Sequence, residues 1–491
     1  MAVDDEKIKA LLHETKVAAK TILENVETGR SILIVSHLDA DGLSAAGILG
    51  TALKRIEADF RIRIARWFDE DVADQIAAAK DCLTVLTDMG SGYLDALSRK
   101  MEAQPLVILD HHQPLGEADE GFVHVNPHLF GIDSAKDLSG AGTAYLTARE
   151  LSERNVDLAC VAIVGALGDL QDKHEDHKLG GVNTIIVDDA VEAGYLQTET
   201  DLLFFGRETR PIHKSLAYSM TMFIPGITGE EDKSLALLLE LGIKPKKNDK
   251  WRALRDMSQE EKQKLFSALS DYLVSKGYKS DTALSLLGTV YILTHEEPWT
   301  PLRDAREFAL LLNAAGRTGK PSLGVAICMG DRGRGLDEAN KALEEYRQTI
   351  TGYLRWLEAN PDRIEEMESI YVLHGGEAID EKIVSAISTI LSTSMPNMQK
   401  PIIAYSVIPE ENTIKISARA ADPLTKKGFN LGEILRVATE RHSGSGGGHN
   451  VAAGGQIPLD QKDLFLRYMN KLVKDDLQRL ENDGSRDHTV L

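Results

Sequence analysis

The chain has 491 residues and a mass of 53.9 kDa, with 43% hydrophobic and 27% charged side chains, enough for two to four globular domains. No apolar run nears the roughly 18 residues of a membrane span. The start (Met1-Ala2-Val3-Asp4-Asp5-Glu6) does not read as a signal peptide, and three dispersed cysteines (Cys82, Cys160, Cys328) argue against a disulfide framework, a zinc ribbon and an iron–sulfur centre, so a reduced, cytoplasmic protein is expected.

The net charge of −20 is uneven: residues 1–200 carry 35 acidic and 18 basic side chains, and residues 201–491 carry 41 and 38. Excess carboxylate includes ligand types for hard divalent cations. A polyanion would then be gripped through metal and local basic groups, so net charge does not exclude nucleic acid.

A helical pattern runs over 4–28 and ends at Gly29. A short β-rich run at 31–35 follows, then a helix over 43–57, a strand over 59–68, a helix over 72–80, a strand over 82–87, a helix over 94–101 and a strand over 105–109. Such alternation predicts an α/β fold with a mostly parallel sheet and helices on both faces. Proline-bearing loops and then charged helical text at 232–276 predict a small, mostly helical insertion. The last part begins near Pro301 with a helix to about 315, a strand over 322–329 and a long helix over 335–358. Strands over 364–373, 402–407 and 413–418 follow, with a helix over 377–392 between the first two. A helix over 430–441 precedes a glycine-rich turn. The expected domains are 1–200, 201–300 and 301–491.

Three of these strands, 31–35, 82–87 and 105–109, deliver polar ligand types at their carboxyl ends, the edge where open α/β sheets bind ligands. The first is followed by His37, Asp39 and Asp41, the second by Asp88, and the third by Asp110, His111 and His112. Asp169 follows an apolar helical run in Gly165-Ala-Leu-Gly-Asp169. A single Asp after a strand is usually a helix cap or turn residue. The joint occurrence points instead to two cations sharing a carboxylate, the device that clamps a phosphoryl group and activates water. Mixed carboxylate and imidazole donors suit Mn²⁺ or Mg²⁺ better than a thiolate metal.

The motifs His-x-Asp-x-Asp-Gly, the lone Asp88, Asp-His-His and Gly-x-x-Gly-Asp together resemble the DHH phosphoesterases. Ser417-Ala-Arg419 and Gly446-Gly-Gly-His449-Asn-Val-Ala-Ala-Gly-Gly455 resemble the DHH-associated substrate domain. The branch most similar is the archaeal RecJ-type nucleases, which the stretches Glu208-Thr-Arg-Pro211, Ile224-Pro-Gly-Ile-Thr228 and Leu312-Asn-Ala-Ala-Gly-Arg317 of this chain also resemble; no further OB-fold domain is expected.

The resemblance implies an N-terminal parallel-sheet domain, a helical insertion and a C-terminal α/β domain, with a cleft between the two α/β domains. It makes Asp39 and Asp41 ligands of one metal each and Asp88 the bridge, with His111, Asp169 and His37 as further ligands. His112 would face the scissile phosphate, and Asp110 would hold an imidazole. Arg419, Gly446, Gly447, Gly448, His449 and Asn450 would bind substrate, the glycines by bringing amides close to phosphate oxygens. A flexible linker is the competing reading of 443–455, although Val451-Ala-Ala453 is apolar.

The expected activity is a metal-dependent exonuclease on single-stranded DNA and possibly RNA in replication or repair, with Mn²⁺ first and Mg²⁺ second as cofactor. The alternatives are an oligonucleotide or small-molecule phosphoesterase, and a replisome scaffold with the GINS complex as partner through the insertion. His174 and His177 read as solvated loop groups. His124 and His128 could be satisfied loop groups or could line the site, and Asn313 and Arg317 could meet phosphates or end a helix.

Overall fold

The computed structural model describes residues 4–101, 104–218, 224–278, 283–394, 399–420, 422–425 and 427–486. Residues 1–344 form one compact unit and 345–491 a second, the division falling inside the long helix Arg334–Ala359. Among the described residues, no helix is long and apolar enough to cross a membrane.

The first unit opens with α1 (Asp5–Glu27), whose first turn is capped by the Asp4 carboxylate accepting from the Glu6 amide. Then come β1 (Ser31–His37), α2 (Ala40–Arg55), β2 (Phe60–Ala65), α3 (Glu70–Ala78), β3 (Cys82–Thr87), α4 (Leu94–Met101), β4 (Leu106–Leu109) and β5 (Phe122–Val125). All five strands are parallel, in the order β2-β1-β3-β4-β5. β3 and β4 are buried along their whole length, as strands covered on both faces must be. The register sets Ser36 beside Thr87 and Thr87 beside Leu109, so three loops leave the sheet at one edge. β5 was not expected, since four residues interrupted by His124 make no apolar run.

α5 (Gly140–Leu151) packs on the sheet, α6 (Ala159–Gly168) on α5 and α2, and α7 (Asn183–Glu192) on α6. α6 is apolar on every side and accordingly buried almost throughout. An antiparallel ribbon of β6 (Leu196–Leu202) with the later β9 (Leu287–Leu293) brackets the insertion. Between them lie α8 (Ile212–Ala217), α9 (Glu231–Glu240), β7 (Lys246–Lys247), β8 (Lys250–Trp251) and α10 (Gln259–Ser275) around a small core that includes Leu238, Leu254, Leu265 and Leu269.

The expected strand at 322–329 is a helix, Pro321–Cys328. Proline opens it at the position where no amide is needed, and its apolar face packs on α2. The helix Ala305–Arg317 packs on α2 and α6, so the segment grouped by sequence with the last part is bound into the first unit.

The second unit holds a six-stranded sheet in the order β10-β11-β12-β13-β15-β14. Its strands are β10 (Ile364–Glu366), β11 (Tyr371–Gly376), β12 (Ile402–Ile408), β13 (Thr413–Arg419), β14 (Ser445–Gly448) and β15 (Ala452–Pro458). Only β11 and β12 pair in parallel. The single strand expected at 364–373 is two, folded back at a turn closed by the Met367 amide on the Ile370 carbonyl. The helix expected at 377–392 is Val384–Ser394, delayed by a turn at Asp380. The glycine-rich segment is a hairpin, not a linker. Phe429, Leu435, Phe465 and Met469 fill the core on one face of this sheet.

Candidate metal centre

His37 ends β1, and its Nδ1 lies 3.0 Å from Asp39 Oδ2 and 3.8 Å from Asp88 Oδ2. Asp39 is the N-cap of α2 and accepts from the Gly42 amide at 3.0 Å. Asp41, fully buried in the next turn, reaches another helix: Oδ2 accepts from the Gly140 amide at 2.7 Å and Oδ1 from the Ala141 amide at 3.0 Å. The carboxylate thus caps α5, whose N-terminal amides favour negative charge. Such closeness requires glycines. A Cβ on Gly165 would stand 2.5 Å from Asp41 Oδ1, and one on Gly140 2.7 Å from the Asp88 Cβ.

Asp88 follows β3 with φ +55, a left-handed conformation Asp tolerates better than most residues. Its side chain is buried, and among the described residues neither oxygen accepts a hydrogen bond. Oδ1 lies 3.3 Å from His111 Nε2. His111 Nδ1 is 3.1 Å from the Ser134 carbonyl, which can only accept, so Nδ1 carries a proton and Nε2 is turned inward. There it meets Asp169 Oδ2 at 3.1 Å and Asp41 Oδ2 at 3.7 Å. Asp169 caps the end of α6.

Asp110 is buried at the end of β4 and turns to hydrogen-bond donors. Oδ2 accepts from the Ser91 amide at 2.9 Å; Oδ1 accepts from the His111 and His112 amides at 2.8 and 3.2 Å and from His112 Nδ1 at 2.8 Å. His112, 43% exposed, therefore presents Nε2 outward.

Within this unit three donor groups result, His37–Asp39–Asp88, Asp41–His111–Asp169 and Asp88–Asp110–His112, each with ligand atoms mutually within 4.8 Å; in the third, Asp110 and His112 already bond one another. Asp88 belongs to the first and contacts the second through His111. The electrostatics are those of carboxylates crowded together in a buried place. Burial, then the Asp41 and Asp39 charges, push Asp88 well above the usual carboxylate range. Burial, then Asp169, push Asp41 up to about 6 against the pull of His111. Burial works against the His111 imidazolium, but Asp169 and Asp88 raise it well above the usual histidine value. Asp39 and Asp110 are held low despite burial, Asp39 by His37 and Asp110 by His112. Crowded carboxylates, an unbonded buried Asp88 and oxygen-with-imidazole donors fit hard divalent cations.

Several residues without a motif complete the site. Ser91, Asn126 and Ser134 hold its loops: Asn126 Nδ2 donates to Ser91 Oγ and to the His112 carbonyl. His124 and His128 are satisfied by Ser91 and Ser134. Asn313 accepts from the Ala40 amide at 3.1 Å, which fixes the loop after β1. Ser139-Gly-Ala-Gly142, an N-cap serine before small residues, was the available signal for the Asp41 contact. His174, expected to be a solvated loop group, is instead mostly buried and held by Asp137 at 2.9 Å.

In the second unit Arg419 ends β13 and donates to Thr389 Oγ1 at 2.9 Å and the Ala418 carbonyl at 2.8 Å. Gly446, Gly447 and Gly448 pair with Gly455, Gly454 and Ala453, and β14 is an edge strand. His449 and Asn450 occupy the hairpin turn, closed by the His449 amide on the Ala452 carbonyl; the Asn450 carbonyl accepts from Leu431 at the start of helix Leu431–Arg441.

Three family models match the chain: the DHH family N-terminal domain over residues 31–166, the DHH-CID domain over 204–287 and the DHHA1 domain over 370–475. An uncharacterized protein of Methanocaldococcus jannaschii is 29% identical over 480 residues, 96% of this chain and 100% of its own. The Thermus thermophilus RecJ structure in complex with Mn²⁺ matches with a TM-score of 0.57 at 18% identity, covering 94% of this chain and 55% of RecJ. The chain thus spans about half the length of that protein. CDC45 of Entamoeba histolytica matches with a TM-score of 0.60 at 11% identity, covering 94% and 99%. Both structural likenesses are likenesses of fold.

Proposed function

The chain belongs to the DHH family, and from that premise we propose that it is a two-metal phosphodiesterase that hydrolyses single-stranded nucleic acid from an end, in DNA replication or repair. The observation that carries the reading is Asp88. A buried carboxylate with no hydrogen bond of good geometry, beside Asp39, Asp41 and three imidazoles, is costly unless cations share it.

When bound, two divalent cations, Mn²⁺ first and Mg²⁺ second, acidify a water and neutralise charge on the phosphoryl oxygens during in-line displacement. His37, Asp39 and Asp88 would hold one, and Asp41, His111 and Asp169 the other. Asp110 keeps the proton of His112 on Nδ1, so that Nε2 can exchange a proton with substrate. Arg419, the outward-facing amides of the Gly446–Gly448 edge strand, and His449 with Asn450 bind phosphates.

The test is digestion of end-labelled single-stranded DNA and RNA with Mn²⁺, Mg²⁺ or EDTA. Stepwise loss of terminal nucleotides with metal, and none in EDTA, is expected. No cleavage of either polymer, with turnover of short oligonucleotides or small phosphoesters alone, would refute the exonuclease in favour of a small-substrate phosphoesterase. The fold shared with CDC45 favours a second reading, a replisome scaffold with the GINS complex as partner. The complete ligand set argues for catalysis beside it.

A further inference from the structure

One segment of the insertion runs against the charge of the chain. Residues 244–255 contain six basic side chains and one acidic, Asp249. β7 and β8 pair as a hairpin, Lys246 opposite Trp251 and Lys247 opposite Lys250. Asn248 and Asp249 take φ of +51 and +59, as a two-residue turn of this kind requires. The root is fixed. Arg252 donates to the Lys244 and Asp256 carbonyls and pairs with Glu261, while its own carbonyl accepts from the Ile212 amide of α8. Arg255 pairs with Glu208. Lys244, Lys246, Lys247 and Lys250 are exposed and form no salt bridge among the described residues.

A solvated basic tip that blocks edge pairing is the ordinary explanation of such lysines. Two tryptophans argue against it. Trp251 is 46% exposed, tilted on His213, with the Lys246 ammonium 4.5 Å from its ring. Trp299 is 63% exposed with φ +60, a conformation a bulky side chain adopts only under constraint. The Arg255 guanidinium lies 4.7 Å from the Trp299 ring, which joins this tryptophan to the same basic segment. A strained backbone thus holds a large aromatic ring in water beside the Arg255 guanidinium of this segment. Cations interleaved with exposed aromatic faces suit a single strand, whose phosphates meet the lysines and whose bases stack without regard to sequence.

We propose that residues 244–255 together with Trp299 form a second nucleic-acid-binding surface, distinct from the carboxylate centre, that takes single-stranded nucleic acid. Lys244, Lys246, Lys247 and Lys250 contact phosphates, and Trp299 stacks on a base. The surface needs neither cation nor cleavage, so it stands apart from the activity proposed above.

The test uses the full chain and labelled oligothymidine in EDTA, with affinity followed by anisotropy over a range of salt. The variant Lys246→Ser/Lys247→Ser/Lys250→Ser should lose about tenfold or more in affinity, and its log–log salt slope should fall by about 2, three contacts at roughly 0.7 each. Trp299→Gly should weaken binding without lowering Tm, because glycine accepts the positive φ; a purely structural tryptophan would lower Tm instead. Unchanged affinity and slope in the triple lysine variant would overturn the proposal. So would a variant that keeps oligothymidine but loses an acidic polyglutamate peptide, which would mark a protein-docking surface. Wild-type binding in EDTA without any cleavage in Mn²⁺ would refute the nuclease and leave this surface standing.

Discussion

Replacing Asp110 by asparagine removes one charge and one acceptor from the most heavily bonded side chain of the centre. The carboxylate accepts four hydrogen bonds, one on Oδ2 and three on Oδ1. An amide has one acceptor oxygen and places two N–H donors where the other oxygen stood. In either orientation a donor faces a donor, the Ser91 amide in one case and the three His111 and His112 donors in the other. Losing a hydrogen bond to a charged group costs roughly 1.5–3 kcal/mol, and a buried unmet donor roughly 1–3 more. The metal-free fold should lose about 3–5 kcal/mol in urea denaturation at neutral pH. The difference should shrink in acid: Asp110 is held low, so its contribution is present above the unfolded value of 3.8 and lost as pH falls through the folded pKa. His112 also loses the partner that fixes its tautomer, and kcat should fall roughly 10²–10⁴-fold. Mn²⁺ should bind with unchanged stoichiometry in calorimetry, since both Asp110 oxygens are already taken up by the Ser91, His111 and His112 donors. A variant within about 0.5 kcal/mol of wild type and with full kcat would refute this account.

Asp88→Asn should abolish cleavage while keeping the fold, and Mn²⁺ should no longer raise its Tm; a wild-type thermal shift would remove Asp88 from the centre. In EDTA, the Asp41 carboxyl titrates near 6 in the folded chain against 3.8 unfolded, so the stability it contributes is whole below pH 3.8 and declines as pH rises from about 4 to 6. Those two units amount to about 3 kcal/mol. His111, raised, adds a decline of the same sign above its unfolded value of 6.5. Saturating Mn²⁺ should flatten both, and urea titrations showing identical pH profiles with and without Mn²⁺ would count against the ligand set. His449→Ala should raise KM and leave Mn²⁺ affinity unchanged, and calorimetry showing lost Mn²⁺ binding would overturn its assignment to phosphate.

Local pattern was enough for much of the first unit. Alternating short apolar runs and amphipathic stretches implied parallel strands and helices, and ligand-type residues at three strand ends implied one site, because strands of a parallel sheet point their carboxyl ends the same way. The apolar run at 322–329 misled, since periodicity cannot separate a short buried helix from a buried strand. Tertiary structure alone decided how the donors divide. His111 turns its Nε2 inward because a carbonyl at Ser134 holds Nδ1, and Asp110 turns away because backbone amides surround it. Asp41 serves a helix start 99 residues away. These pairings join residues far apart in the chain through sheet register and through close approach at Gly140 and Gly165, and no local spacing encodes them.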